Sequence, residues 1–262
     1  MKLLSFQTAP SPHLPHLLYL PGLDGTGSLF YRQAEVLSPF FNLHCLSLPP
    51  QSGVNWSQLS AQAIALLKEQ LGGVTFSLCG ESFGGCWALK LAQVWPQGVE
   101  RLILVNPASS FHRNPLLSLG IPLTRWLPDF FHGLSTIFGL AFLAHLNRLE
   151  RGDRRQLLAA MRSLPPEVVS WRLSLLQNFH LAEISLTQIL QPTLILASQG
   201  DRLLPSVTEA HYLRTHLPRA QVAILPHSGH ACLLEKELDL AQILDSHNFL
   251  PSLCLANSQR MF

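Results

Sequence analysis

Short apolar runs alternate with segments of helical period along most of this chain. Strand-like runs occupy residues 16–20, 42–48, 75–79, 99–105, 193–197 and 221–225. Helical patterns fill the intervals at 28–37, 57–71, 85–92, 206–216 and 233–244, with Ser28 as an N-cap and Gly72-Gly73 closing the second. Strands separated by helices predict an α/β fold, a doubly wound and mostly parallel sheet with helices on both faces. The alternation stops between about residues 108 and 180, a Leu-, Phe-, Trp- and Pro-rich segment with helical but no strand character. The expected organisation is a core of residues 1–107 and 181–249, a helical cap of 108–180 inserted between strands, and a tail of 250–262.

In such sheets the chemistry gathers at the carboxyl ends of the strands. One of those ends reads Gly80-Glu81-Ser82-Phe83-Gly84, a G-x-S-x-G pattern between an apolar strand and a helix. A strand that turns sharply into a helix with Ser at the apex exposes the hydroxyl above the sheet. Glycine on either side lets the backbone make that turn without a Cβ clash. A serine hydroxyl is a weak nucleophile at neutral pH and needs a base, which in turn needs a partner to hold its tautomer. Asp201 follows one later strand and His230 follows the next, so the chain order is Ser, acid, His. Asp201 also reads as a capping residue for the helix beyond it, and His227 is the rival base. An acyl-transfer serine enzyme further needs donors for the oxyanion of its tetrahedral intermediate. The backbone N–H of Phe83 is one candidate. The N–H of Leu23, in the Gly-rich loop that follows the first strand-like run, is the other, unless that loop is an ordinary surface turn. Asp24, in the same loop, reads either as a side chain that orients it or as a solvated turn residue.

Composition limits the alternatives. The chain has 262 residues, 47% hydrophobic and 13% charged, with a formal charge of +2. A large core is expected, and no dense Lys/Arg cluster suggests nucleic acid as a partner. Cys45, Cys79, Cys86, Cys232 and Cys254 are odd in number and lack metal spacing, so neither a disulfide framework, a metal site nor a cofactor is expected. The scattered cysteines suit a reduced, cytoplasmic compartment, and residues 1–6 are too short and weakly apolar to read as a secretory signal. Residues 130–147 carry no Asp, Glu, Lys or Arg but are borderline in length for a membrane span, and read as part of the cap.

Three segments, at residues 20–27 (Leu-Pro-Gly-Leu-Asp-Gly-Thr-Gly), 79–85 (Cys-Gly-Glu-Ser-Phe-Gly-Gly) and 102–111 (Leu-Ile-Leu-Val-Asn-Pro-Ala-Ser-Ser-Phe), carry a resemblance. The chain resembles the α/β-hydrolase superfamily over nearly its whole length. Within it, those segments are similar to the esterase/lipase/thioesterase group that includes the hydrolase domain of phytyl ester synthase-like proteins. The resemblance implies the α/β-hydrolase fold and transfer of fatty acyl groups to water or to alcohols such as phytol. Proteins of that kind also carry a second, acyltransferase-like region with a His-x4-Asp motif. Here His230 is followed five residues later by Glu235, so hydrolysis of an acyl ester is the leading expectation and acyl transfer the alternative. A non-catalytic lipid-binding protein on the same scaffold is the reading from another class.

The insertion is unusually apolar, and Phe111, Trp126 and Phe138 are candidate substrate-binding residues along an acyl-chain path. Packing of the cap onto the core is the competing role for each. Arg148, Arg151, Arg154 and Arg155, interspersed with Glu150 and Asp153, read as a solvated helix face. The expected partners are a small hydrophobic acyl ester or lipid and, transiently, a membrane surface; oligomeric state is not readable.

Overall fold

A computed structural model describes residues 1–7, 10–48, 53–113 and 144–251. Among these, seven strands form one sheet in the order β1-β3-β2-β4-β5-β6-β7. The strands are β1 (Lys2–Ser5), β2 (His16–Leu20), β3 (Asn42–Ser47), β4 (Phe76–Glu81), β5 (Val99–Val105), β6 (Thr193–Ser198) and β7 (Ala220–Leu225). Only β1 runs antiparallel, against β3. Helices α1 (Tyr31–Leu37), α2 (Trp56–Leu71), α3 (Phe83–Val94), α4 (Arg151–Arg162), α5 (Pro166–Gln177), α6 (Ser206–His216) and α7 (Leu240–Ser246) accompany them.

The central strands of the sheet are buried on both sides because they are apolar on both sides. On β2, Leu18 and Leu20 join one core with α2, α3 and α5, while Leu17 and Tyr19 join the other with α1 and α7. That division follows the two-residue period of a strand. Helix α2 begins where Asn55 and Gln58 cap each other, each side chain accepting from the other's backbone N–H at 2.9 and 3.0 Å. It ends at Gly72, whose φ of 67° suits a residue without a Cβ.

Three sequence expectations change. β1 was not expected: it is an edge strand with mostly exposed side chains, so it lacks an apolar signature. Ser28 is not an N-cap; a 3-10 turn at Ser28–Phe30 precedes α1, and its hydroxyl pairs with Thr26 Oγ1 at 2.8 Å. The closing helix starts at Leu240 rather than at residue 233, because Asp239 accepts from the Gln242 N–H and starts it there. Residues 232–234 form a separate 3-10 turn.

Strand order places the site. The order reverses at β2, which lies between β3 and β4, so the loops after β2 and β4 leave the same edge side by side. Register keeps the carboxyl ends level: Leu20 pairs with Gly80, Glu81 with Val105, Val105 with Leu196, and Ser198 with Leu225. Ser82, Asn106, Asp201 and His230 therefore all leave one edge of the sheet.

On β3, His44 is 5% exposed and its Nε2 lies 2.9 Å from His16 Nδ1, the rings stacked. Burial, reinforced by the neighbouring His16, pulls the His44 pKa down to about 4. The unfolded chain takes up a proton near pH 6.5, whereas the folded site resists it until about pH 4. Stability should therefore fall as pH drops through that window, by on the order of 3 kcal/mol. Thermal midpoints of the wild type and His44→Leu between pH 7 and 4 test this. The variant should lose less stability across the window, and parallel curves would remove His44 from the account.

Candidate active site

The turn from β4 into α3 is made by Ser82, which has φ 52° and ψ −109°. A non-glycine residue in that region is strained, and such strain persists only where surrounding contacts enforce it. Here the Ser82 N–H donates to Val105 O at 2.9 Å and the Ser82 carbonyl accepts from Gly85 and Ala108, both at 3.0 Å. Tight backbone packing adds to these. A Cβ built on Gly84 would lie 1.9 Å from the Leu20 carbonyl oxygen, so α3 starts against the loop that follows β2.

Ser82 Oγ lies 2.9 Å from His230 Nε2, and His230 Nδ1 lies 2.7 Å from Asp201 Oδ2. His227, the rival base, is exposed, while His230 is 4% exposed. Asp201 Oδ1 accepts from the Leu203 and Leu204 N–H groups at 2.9 and 3.0 Å, and Ser206 Oγ donates to Oδ2. The carboxylate thus also caps the turn before α6. The two loops are laced together by Gln199 N–H to Leu225 O and Gly200 N–H to Ser228 O, both 3.0 Å.

Burial works against charge on both Asp201 and His230. Their mutual attraction and hydrogen bond, with those from Ser206 and Leu204 to Asp201, overcome it: the Asp201 pKa lies below and the His230 pKa above the ordinary values. A carboxylate on Nδ1 leaves Nε2 facing the hydroxyl as an acceptor. The line is suited to drawing a proton from Ser82 Oγ.

The loop after β2 lies against the turn. A Cβ built on Gly22 would lie 4.0 Å from Ser82 Cβ, and Gly25 N–H donates to Gly22 O at 3.0 Å to close a turn over Leu23 and Asp24. Asp24 Oδ2 accepts from the Thr26 N–H at 2.9 Å and from its hydroxyl. Phe83 opens α3, where an N–H has no intrahelical acceptor. Beneath the site, Tyr19 OH donates to Glu81. Burial, aided by the Asp24 charge, raises the Glu81 pKa to about 7, against the opposing pull of the Tyr19 bond and His230.

Residues 17–243 match the model of a family described as Alpha/beta hydrolase family. The chain belongs to that family. Its relatives include proteins named as esterases and hydrolases. The chain is 32% identical over 261 residues to phytyl ester synthase 1, chloroplastic, of Arabidopsis thaliana, covering 90% of this chain and 37% of that protein. The chain spans well under half the length of the phytyl ester synthases it matches. It is 28% identical to a pimeloyl-[acyl-carrier protein] methyl ester esterase of Nitrosomonas europaea, covering 84% and 90% of the two chains. The enol-lactonase from Burkholderia xenovorans LB400 shares the fold, with a TM-score of 0.78 at 17% identity over 94% and 95% of the two chains.

Five side chains with no role at the site assigned from sequence hold it in place: Asn106, Glu235, Arg148, His145 and Arg172. Asn106, fully buried at φ 43°, donates from Nδ2 to Ser198 Oγ at 2.9 Å and to His230 O at 2.8 Å, and accepts from Ser198 N–H at 2.8 Å. Glu235, 1% exposed, accepts from Ser228 Oγ and Gly229 N–H at 2.8 Å and from Arg148 Nε at 2.6 Å. Arg148 lies in a 3-10 turn ahead of α4, not on the solvated helix face expected from sequence, and it also pairs with Glu237. His145 donates from Nε2 to Gly200 O at 3.2 Å, so residues 145–148 rest on both the Asp201 and the His230 loops. Arg172, on α5, reaches the loop after β2 and donates to Leu23 O.

Of the candidate substrate residues, Phe111 is buried in the main core cluster with Val168 and Phe179. Trp126 and Phe138 lie outside the described residues, as does most of the uncharged stretch at 130–147. Among the described residues, no helix is long and apolar enough to cross a membrane.

Proposed function

We propose that the chain is a serine hydrolase that cleaves a hydrophobic acyl ester or thioester through an acyl-enzyme. The observation that carries this reading is the hydrogen-bonded line from Ser82 Oγ through His230 to Asp201. Ser82 attacks the acyl carbonyl as His230 Nε2 takes its proton. The oxygen of the tetrahedral intermediate is bound by the N–H groups of Leu23 and Phe83. Collapse breaks the bond to the leaving alcohol or thiol, which leaves with the proton from His230. Water, deprotonated by the same imidazole, then attacks the acyl-enzyme and releases the acid. Asp201 holds the imidazole and remains ionised throughout.

The test is labelling with a fluorophosphonate alongside turnover of p-nitrophenyl acyl esters of increasing chain length. Stoichiometric label on Ser82, with loss of turnover in step, is the expected result. Turnover that survives full labelling would refute the reading. A protein that takes no label but binds lipid would be the non-catalytic binder.

A second reading is favoured by the identity to a phytyl ester synthase over 90% of this chain. In it the same acyl-enzyme is attacked by an alcohol hydroxyl instead of water, giving a new ester. Products from a long-chain acyl donor with and without phytol separate the two. Ester formation that suppresses free acid supports transfer, and free acid alone supports hydrolysis.

A further inference from the structure

The Leu23 amide lies on the loop after β2, and one tether on that loop comes from the segment between β5 and β6. Arg172 on α5 is 1% exposed, and its Nη1 donates to the Leu23 carbonyl at 2.6 Å. The guanidinium also lies against Gly25: a Cβ built there would stand 2.4 Å from Nη1, 2.7 Å from Cζ and 2.8 Å from Nη2. Gly25 has φ +67°, so the loop both turns at this residue and leaves the arginine room to approach.

Two consecutive peptide planes are fixed this way. Gly25 N–H holds the Gly22 carbonyl, and in a planar trans peptide the Leu23 N–H must point opposite to that carbonyl. Arg172 holds the next carbonyl, that of Leu23. With both planes set, the Leu23 N–H has one direction. Behind Arg172, α5 is itself anchored. Trp171 Nε1 donates to Val54 O and Trp56 Nε1 donates to Leu175 O, each at 2.8 Å, one on either side of Arg172 along the helix. Burial lowers the Arg172 pKa to about 10, with the Asp24 charge opposing the fall, so the group stays cationic at neutral pH. A charged donor makes a shorter and stronger hydrogen bond to a carbonyl than a neutral one.

We infer that Arg172 is a positioning residue for the oxyanion-binding loop, holding the Leu23 amide at the place where negative charge develops. The inference rests on the acyl-enzyme reading proposed above. Its effect belongs in the transition state: a misaligned donor weakens the hold on the oxyanion while leaving ground-state binding nearly unchanged.

The test uses Arg172→Lys, Arg172→Met and Gly25→Ala in the full chain, with active sites counted by fluorophosphonate titration. Per titrated site, Arg172→Met should lower kcat by about 10- to 100-fold with KM within about 3-fold. Affinity for an alkyl trifluoromethyl ketone, which forms a tetrahedral adduct, should fall by the same factor as kcat/KM. Arg172→Lys should recover part of the loss. Gly25→Ala, which pushes on the guanidinium from the loop side, should lower kcat similarly, and the double variant should be no worse than the poorer single one. Unchanged kcat per titrated site, with only a lower thermal midpoint, would overturn the inference. If Arg172→Met does not fold, Arg172→Lys and Gly25→Ala decide the matter by the same readouts. Activity that survives Ser82→Ala would refute the acyl-enzyme reading and the inference with it. An inactive Ser82→Ala beside fully active Arg172 variants would refute the inference alone.

Discussion

Ser82→Ala should lower kcat for a p-nitrophenyl acyl ester by about 10⁵- to 10⁶-fold, with KM almost unchanged. The lost oxygen is the atom that would become bonded to the acyl group, so no partial function remains for it. Its absence also leaves His230 Nε2 without the hydroxyl that stands 2.9 Å away. Residual catalysis would come from the Leu23 and Phe83 N–H groups acting on water, which accounts for a rate above background. The fold should survive. The strained φ of 52° belongs to a backbone pinned by Val105, Gly85 and Ala108, and none of those bonds uses the Ser82 side chain. Turnover and fluorophosphonate labelling decide it: a variant that keeps either would end the assignment of Ser82.

Asp201→Asn is expected to cost about 10⁴-fold in kcat at neutral pH. The loss is predictable from the carboxylate's other partners. Oδ1 already accepts from the Leu203 and Leu204 N–H groups. An asparagine would keep its oxygen there and turn its NH2 toward His230. The imidazole would then accept at Nδ1 and carry its proton on Nε2, the nitrogen that must be empty to receive the Ser82 proton. A second readout follows from the pKa. His230 titrates above the ordinary histidine value because the attraction of Asp201 outweighs burial. In the proposed mechanism the neutral imidazole is the active form, so activity should fall as pH drops through that raised pKa. Without the negative charge, the acid limb of kcat/KM should move to lower pH. A variant with full activity, or one whose acid limb stays in place, would remove Asp201 from its role.

The fold was legible because its signals are local. Apolar runs and paired glycines after residue 71 each declare an element within a few residues. The elbow was legible for the same reason, and the order Ser82, Asp201, His230 then follows from which loops leave one sheet edge. What escaped is long-range. Arg172 meets Leu23 across 149 residues, Asn106 meets His230 across 124, and Arg148 meets Glu235 across 87. No periodicity relates such pairs; they exist only once the sheet is wound. Arg148 read as part of a solvated patch because sequence displays its charge but not the carboxylate buried opposite it. β1 escaped for a different reason, since an exposed edge strand has no apolar face to advertise.

The tethering of α5 by two tryptophans bears on how such enzymes diversify. A segment spliced between β5 and β6 is often imagined as an exchangeable roof that alters only which molecules fit beneath it. Here the same helix is fastened to the entry of α2 and reaches down to the peptide bonds beside Ser82. Chimaeras that swap residues 108–192 for the matching stretch of a relative would therefore inherit a changed reaction rate along with a changed menu of acyl chains, unless the incoming helix brings its own guanidinium to the same carbonyl.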